Sequence, residues 1–384
     1  MTLKQLKEDN LEKIRRFEAS PAQEPGWDGS VPFYPRYMQI EHTTRCNARC
    51  IMCNHLYTAN RGARDLHRDV LRGIEPVLPY VQTVMLNGDG EPFLYQGIEE
   101  SLALFHKYEV GVGANTNLTA VTDEILGYIA SDFSFLNVSC DGSTPELFES
   151  IRRGLSFDTF VGNLKRLNKA APHLAKNLDC VLMRQNIGDM ENLVRFAADN
   201  GFASIRFHPL GVNPVIGNGA DEPALYPHYL AEHAVKARTA AEQAGIAIQL
   251  PNVVSPDEIL AKSQREKAVE AEPASRQAIE RALAMREQLS QQYLAIPVTA
   301  EDLSPAAFDC GRMCRWAVER CYLDLSGNMT TCCYDVSHRY GNLGEQTFDE
   351  IWNGALYRRF RTEMVQGRLP DWCRDCQWLK NPQF

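Results

Sequence analysis

The sequence predicts an α/β fold: a partial (β/α)6 barrel of the TIM type, followed by a small cysteine-rich α+β domain. Three observations predict it. Short β-prone runs alternate with helix-length segments from Tyr37 to His208, the pattern of βαβ units around a parallel sheet. A polar motif stands directly after each run, at the strand ends where barrel chemistry collects. The 12 cysteines fall mainly in two groups, three at 46–53 and seven from Cys310 to Cys376, with Cys140 and Cys180 between them. An open doubly wound sheet is the competing arrangement of the same elements.

Residues 1–35 read as a charged helix, Leu3 to Phe17, and then a lead-in containing Pro, Gly and Trp. The barrel is expected over 36–212. Its strands are predicted at Tyr37–His42, Val81–Leu86, Val110–Ala114, Phe135–Ser139, Leu178–Leu182 and Ala203–His208. Helices are predicted between them at Asp69–Val77, Gly97–Tyr108, Thr122–Ala130, Phe157–Ala170 and Met190–Asn200. Residues 213–305 read as a linker with helical cover: a helix at Ala224–Ala244, a short strand at Ile246–Leu250, and polar helices at Pro256–Ala271 and Ala274–Tyr293. The cysteine-rich domain occupies 306–384.

Composition narrows the function classes. A net charge of −9 excludes broad non-specific nucleic-acid binding, which needs a basic surface. There is no signal peptide and no apolar run of spanning length, so no membrane contact is expected and the location is read as cytoplasmic. In a reducing compartment cysteines serve metals or redox work rather than disulfides.

Cys46, Cys50 and Cys53 stand at C-x-x-x-C-x-x-C spacing after the first predicted strand. Three thiolates on one short loop suit three corners of a four-iron cluster, with one iron left open. A partial zinc site is the other reading. Structural zinc wants four ligands, and the flanking His42 and His55 are imperfect fourth partners. Gly88-Asp89-Gly90-Glu91 follows the second strand, Asn117 the third and Arg184 the fifth; Ser139 and Asp141 close the fourth. By the period of two, Cys140 faces away from Ser139 and Asp141 and reads as a buried, apolar-like cysteine.

These residues resemble the radical S-adenosylmethionine (SAM) superfamily. Cys46, Cys50 and Cys53 are similar to its signature, with Met52 where an aromatic residue is usual; Gly88–Pro92 resembles its Gly-Gly-Glu motif. Val138-Ser139-Cys140-Asp141-Gly142 with Ile151-Arg152 resembles the branch that carries a cysteine-rich extension. The resemblance implies a [4Fe-4S] cluster on the three cysteines and S-adenosylmethionine chelated at its open iron. Gly88 and Gly90 would admit the methionine moiety and Glu91 would accept from its ammonium. Ser139 and Asn117 would bind the ribose, and Arg184 would pair with the carboxylate.

The tail holds a second metal signal in Cys314, Cys332, Cys373 and Cys376, with a hairpin expected at Ser326-Gly327-Asn328. By spacing alone this also suits zinc. It resembles the twitch domain, the shortened form of SPASM, which implies one auxiliary [4Fe-4S] cluster. Cys310, Cys321 and Cys333 are spare: Cys321 is an alternative ligand, and all three are candidate hydrogen-atom donors.

The resemblance implies an oxidoreductase or epimerase. S-adenosylmethionine would be cleaved to a 5′-deoxyadenosyl radical that abstracts a substrate hydrogen atom, with a flavodoxin- or ferredoxin-type electron donor. A small polar metabolite such as an aminocyclitol or sugar is the expected substrate, because the chain is acidic and only 45 residues precede Cys46. Maturation of a ribosomal peptide is the alternative, and a non-catalytic iron–sulfur sensor a distant one.

Overall fold

The computed structural model describes residues 1–19, 27–53, 64–211, 218–221, 223, 227–251, 306–307, 314–332, 338–369 and 373. Its centre is a ten-stranded sheet in the order β11-β10-β9-β1-β2-β3-β4-β5-β6-β7. The first seven strands are β1 (Tyr37–Ile40), β2 (Thr83–Leu86), β3 (Gly111–Thr116), β4 (Phe133–Ser139), β5 (Ala175–Leu182), β6 (Ser204–Pro209) and β7 (Ala247–Gln249), all parallel and in chain order. β7 lies in the stretch read as a linker, so the barrel sheet runs one strand further than expected.

Alternation along the strands separates two faces. Met38, Ile40, Val84, Leu86, Leu136, Val138, Leu178, Cys180, Leu182 and Ile205 are fully buried. They share one core with apolar residues of the helices α2 (Arg68–Ile74), α3 (Ile98–Lys107), α4 (Asp123–Asp132), α5 (Pro145–Ile151), α6 (Phe157–Ala170) and α7 (Met190–Asp199). The other face is polar. Asn137 Nδ2 donates to Asn115 Oδ1 at 2.8 Å, Asn177 Nδ2 to Asn137 Oδ1 at 3.0 Å, and Ser204 Oγ to Asn177 Oδ1 at 2.7 Å. One level nearer the strand ends Arg206 grips Asp179 through Nε at 2.7 Å and Nη2 at 2.9 Å. A parallel sheet with one apolar face packed under helices and one polar face is the wall of a partial barrel.

Helix α5 was not foreseen, although Thr144-Pro145 is a plain start signal: the Thr144 hydroxyl accepts from Leu147 N–H, and proline takes the first turn. α1 (Leu3–Ala19) is docked. Lys7 Nζ donates to the Tyr108 and Glu109 carbonyls at 2.8 and 2.6 Å, and Asn10 Nδ2 to the Tyr34 carbonyl at 3.0 Å. Helix α8 (Pro227–Ala244) packs beside α7 and leads into β7. Among the described residues no helix is long and apolar enough to cross a membrane.

The C-terminal part joins the same sheet. After the short strand β8 (Ala306–Ala307) and the turn of helix α9 (Arg315–Val318), β9 (Arg320–Leu323) pairs in parallel with β1, Tyr37 opposite Arg320. β10 (Asn328–Thr330) turns back antiparallel on β9, as the hairpin reading required. Gly327 stands at the turn with φ +83°, where a side chain would be strained. β11 (Gly341–Asn342) completes the meander. α10 (Phe348–Trp352) and α11 (Ala355–Val365) follow, and β12 (Arg368–Leu369) pairs with β8. Trp352 and Arg361 are fully buried and hold the lead-in segment: Trp352 Nε1 donates to the Phe33 carbonyl at 2.9 Å, and Arg361 Nη1 to the Gly29 carbonyl at 3.1 Å. The predicted helices at 256–271 and 274–293 lie outside the described residues.

Candidate active site

β1 stops at Ile40, and the chain enters the cysteine loop through four buried polar residues, Glu41, His42, Thr43 and Thr44. The loop is stitched from three sides. Thr44 N–H donates to the Arg64 carbonyl at 2.9 Å, and the Thr43 hydroxyl to Asp65 at 2.6 Å, closing its two limbs. Glu91 N–H donates to the Arg45 carbonyl at 2.8 Å. Beyond α5, Arg49 N–H donates to the Arg153 carbonyl at 2.7 Å and Ile51 N–H to the Ile151 carbonyl at 3.0 Å, one bond on each side of Cys50.

Cys50 is buried, and Cys46 and Cys53 are half-buried. Burial pushes the Cys46 thiol up to about 12, with Glu91, Cys50 and Cys53 close enough to add to the shift. Burial pushes Cys50 up to about 11, partly offset by Arg152. A metal that binds at these cysteines must displace their thiol protons.

Gly88 and Gly90 are needed because the second loop presses on the first. A Cβ at Gly90 would lie 2.2 Å from the Thr43 carbonyl oxygen, and one at Gly88 would lie 2.4 Å from Glu41 Cγ. Glu41 Oε1 accepts from Asp89 N–H at 3.0 Å and Oε2 from Leu325 N–H at 3.3 Å, so one buried carboxylate joins the glycine loop to the tail hairpin. Glu91 points inward. Its oxygens accept from the Thr116 hydroxyl at 2.6 Å and from Asn117 N–H at 2.8 Å, so the side chain assigned to the ammonium is already engaged. The reason is burial: Glu91 is 3% exposed. Asn117 Nδ2 in turn donates to Asn47 Oδ1 at 2.9 Å, tying the third strand's end to the cysteine loop.

Ser139 is half-buried at the end of β4, opposite Asp179. Arg184 is exposed beyond β5, and its backbone N–H donates to the Asp221 carbonyl at 3.0 Å. Cys140 is fully buried, its thiol 3.2 Å from the Gly142 carbonyl, as its strand phase implied. Asp141 does not continue the Ser139 face. The strand has ended, and its carboxylate turns in to accept from Val181 N–H at 2.7 Å and to pair with Arg152 Nη2 at 2.7 Å.

His42 is a core histidine. Its Nδ1 lies 3.0 Å from the Ile40 carbonyl, and its ring packs on Tyr95 and Phe105. Burial lowers it to about 4 from 6.5. A histidine buried neutral contributes stability that is full above pH 6.5 and is lost as pH falls toward 4, up to about 3 kcal/mol. In denaturant titrations of the metal-free chain, His42→Phe is expected to flatten that decline between pH 7 and 4.5. An unchanged slope would place the acid sensitivity elsewhere. His55 lies outside the described residues.

In the tail, Cys314, Cys332 and Cys373 are half-buried. Cys314 immediately precedes α9, and Cys332 follows β10. Cys310, Cys333 and Cys376 lie outside the described residues. Cys321 is in register with Met38 of β1, so it shares the apolar face of the sheet and is fully buried there. It therefore does not face the polar interior where a hydrogen-atom donor would act.

Sequence comparison decides the family. A family model described as "Radical SAM superfamily" matches residues 40–197, and one described as "Iron-sulfur cluster-binding domain", SPASM, matches 314–377. The chain belongs to the radical SAM superfamily, in the branch that carries a SPASM domain. It is similar to the mycofactocin maturase MftC of Mycolicibacterium smegmatis, 31% identical over 189 residues, 49% of this chain and 47% of that protein. The match thus spans about half the length of that relative. It is also similar to the AdoMet-dependent heme synthase of Methanosarcina barkeri, 23% identical over 358 residues, 90% of this chain and 89% of that one. Among solved structures, Streptococcus suis SuiB bound to precursor peptide SuiA shares the fold, with TM-score 0.60 and 15% identity over 97% of this chain and 74% of SuiB.

Radical SAM and SPASM domains imply S-adenosylmethionine and two [4Fe-4S] clusters. Among the described residues no set of three or more His, Cys, Asp or Glu side chains is gathered closely enough to hold a metal ion as it stands. The donor set nonetheless fits: three soft sulfur ligands share one loop and sense one another's charge. Beside them the buried Nε of Arg152 has no hydrogen-bond partner among the described residues. Sequence reasoning noted Arg152 only as part of a resemblance and missed Glu41, Asn47 and the Asp179–Arg206 pair. Nothing marked these at the sequence level, since each acts through a partner distant in the chain.

Proposed function

We propose that this radical SAM enzyme is a maturase that modifies a ribosomally made peptide by radical hydrogen abstraction. The observation that carries the radical half is the Cys46–Cys53 loop, clamped between Gly88–Glu91 and Ile151–Arg153. The peptide half is supported by the likeness to a maturase over about half of the chain. The fold adds to it, because in Streptococcus suis SuiB it was solved with a precursor peptide. This reading replaces the small polar metabolite expected from acidity and a short N-terminal segment. Net charge describes the outer surface, whereas the substrate meets the interior face of the sheet.

When bound, the reduced cluster and S-adenosylmethionine supply a 5′-deoxyadenosyl radical that removes a hydrogen atom from the substrate. The chain's own part is placement. Cys46, Cys50 and Cys53 would hold the cluster and leave one iron to the cofactor. Gly88 and Gly90 keep the second loop tight on the first, and Glu91 orients Asn117, which steadies the loop through Asn47. Ser139 offers a hydroxyl to the ribose and Arg184 a charge to the carboxylate. Asn137, Asn177 and Arg206, with His208 whose Nε2 lies 3.5 Å from Asp179, give the polar face donors and acceptors suited to peptide groups.

Cys314, Cys332, Cys373 and Cys376 would hold the auxiliary cluster, which would supply an acceptor for a second electron in an oxidation. Cys310 and Cys333 remain candidate donors for an epimerisation. A flavodoxin- or ferredoxin-type protein supplies the electron, and the oxygen-sensitive clusters call for a reducing compartment.

The test is anaerobic reconstitution with S-adenosylmethionine and a panel of peptides, including any encoded beside the gene. Peptide-stimulated 5′-deoxyadenosine, with a change in peptide mass or configuration, is expected. Stimulation by an aminocyclitol or sugar alone would overturn the substrate class. Stimulation by a tetrapyrrole alone would favour the heme-synthase likeness.

A further inference from the structure

We propose that Arg152 is a positioning residue for the three-cysteine cluster, set against Cys50 to raise the cluster's reduction potential. This rests on the reading of Cys46–Cys53 as a four-iron site. The segment after α5 runs alongside the loop and bonds it at Arg49 and Ile51, with Cys50 between them. Arg152 stands between the two carbonyls that accept those bonds. Its Nη1 lies 4.0 Å from Cys50 Sγ and its Nη2 lies 2.7 Å from Asp141 Oδ2. The Arg152 side chain is 8% exposed and Asp141 is completely buried.

An arginine taken out of water this fully needs its donors answered. Asp141 forms an ion pair on one edge of the guanidinium, while Nε is a buried donor with no partner among the described residues. A cluster on Cys50 brings thiolate and sulfide acceptors to that neighbourhood. It also brings a charge that becomes more negative by one on reduction. A cation held close in a poorly solvated site favours the reduced form, since net charge, sulfur hydrogen bonds and solvent exposure set cluster potentials. Asp141 is the counter-charge. It fixes the guanidinium beside Cys50 and tempers its effect.

The two partners therefore predict opposite signs, which simple loosening of the loop would not produce. The experiment is a dithionite redox titration of the reconstituted full chain followed by electron paramagnetic resonance. The first cluster is identified as the signal missing from Cys46→Ala. Arg152→Met is expected to cut the reduced-to-oxidised ratio at a given potential about tenfold, a downward shift of about 59 mV for a one-electron couple. Asp141→Asn is expected to shift the midpoint upward, and Arg152→Lys to stay nearest the parent. Equal midpoints, or shifts of one sign in both variants, would overturn the proposal. Where Arg152→Met fails to load iron, Asp141→Asn decides, and no upward shift there overturns it. The functional reading fails separately, if S-adenosylmethionine leaves the wild-type signal of the first cluster unperturbed.

Discussion

Cys50→Ala is expected to abolish 5′-deoxyadenosine formation while leaving the chain folded and half of its iron in place. The parent should load about eight irons, two clusters of four, and the variant about four. The residual iron would belong to the tail, whose proposed ligands are separate from the loop. Folding should survive because Cys50 contributes one small buried side chain, worth about 1 kcal/mol on truncation. The loop itself is held by backbone bonds to Arg153 and Ile151 that the substitution does not touch. Retained cofactor cleavage, or iron unchanged from the parent, would remove Cys50 from the site.

Gly90→Ala should have the largest effect of any single methyl group in the barrel. The added carbon would meet the Thr43 carbonyl oxygen at 2.2 Å and the Arg45 carbonyl oxygen at 2.7 Å. Both are backbone atoms, so no side-chain rotation relieves the clash. Either the glycine loop lifts away or the cysteine loop moves. We expect a stability loss of about 2–3 kcal/mol in urea titration, and S-adenosylmethionine binding weakened at least about tenfold, since small misplacements at a site cost that much or more. Gly127→Ala is the control. It lies within α4, where an added carbon meets nothing within 4 Å, and it should stabilise by up to about 1 kcal/mol. A Gly90→Ala protein as stable as its parent would mean that the two loops are not in contact in solution.

Much of the barrel was legible because its signals are local. Alternating apolar residues, strand-length runs and turn residues at each end depend on near neighbours in the chain, and the six strands fell within a few residues of their expected bounds. The cysteine loop was legible for the same reason, being one short motif. What remained hidden depends on distance. Glu41 looks like any carboxylate until Asp89 and Leu325 are brought to its two oxygens. Arg152 looks like a surface arginine until Asp141 turns away from its strand to meet it. Cys321 looked available because spacing cannot tell which face of a strand a residue takes when the partner strand is unknown; its pairing with Met38 decides that. The seventh strand was visible as a strand but not as part of the sheet, because edge membership is set by packing.

The pairing of β9 with β1 has a consequence for how the protein is made. Arg36 and Glu319, which meet at the start of this pair, are separated by 283 positions. During synthesis β1 emerges well before β9, one of its two neighbours, has been made. Until then Tyr37–Ile40 is an open edge beside an unfinished cysteine loop, a template for pairing with another chain. Closing so distant a contact is slow. The barrel therefore cannot mature ahead of its tail. A ribosome stalled before residue 320, or a chain truncated there, would leave a product prone to aggregate even though the whole sequence matched to the radical SAM family is present.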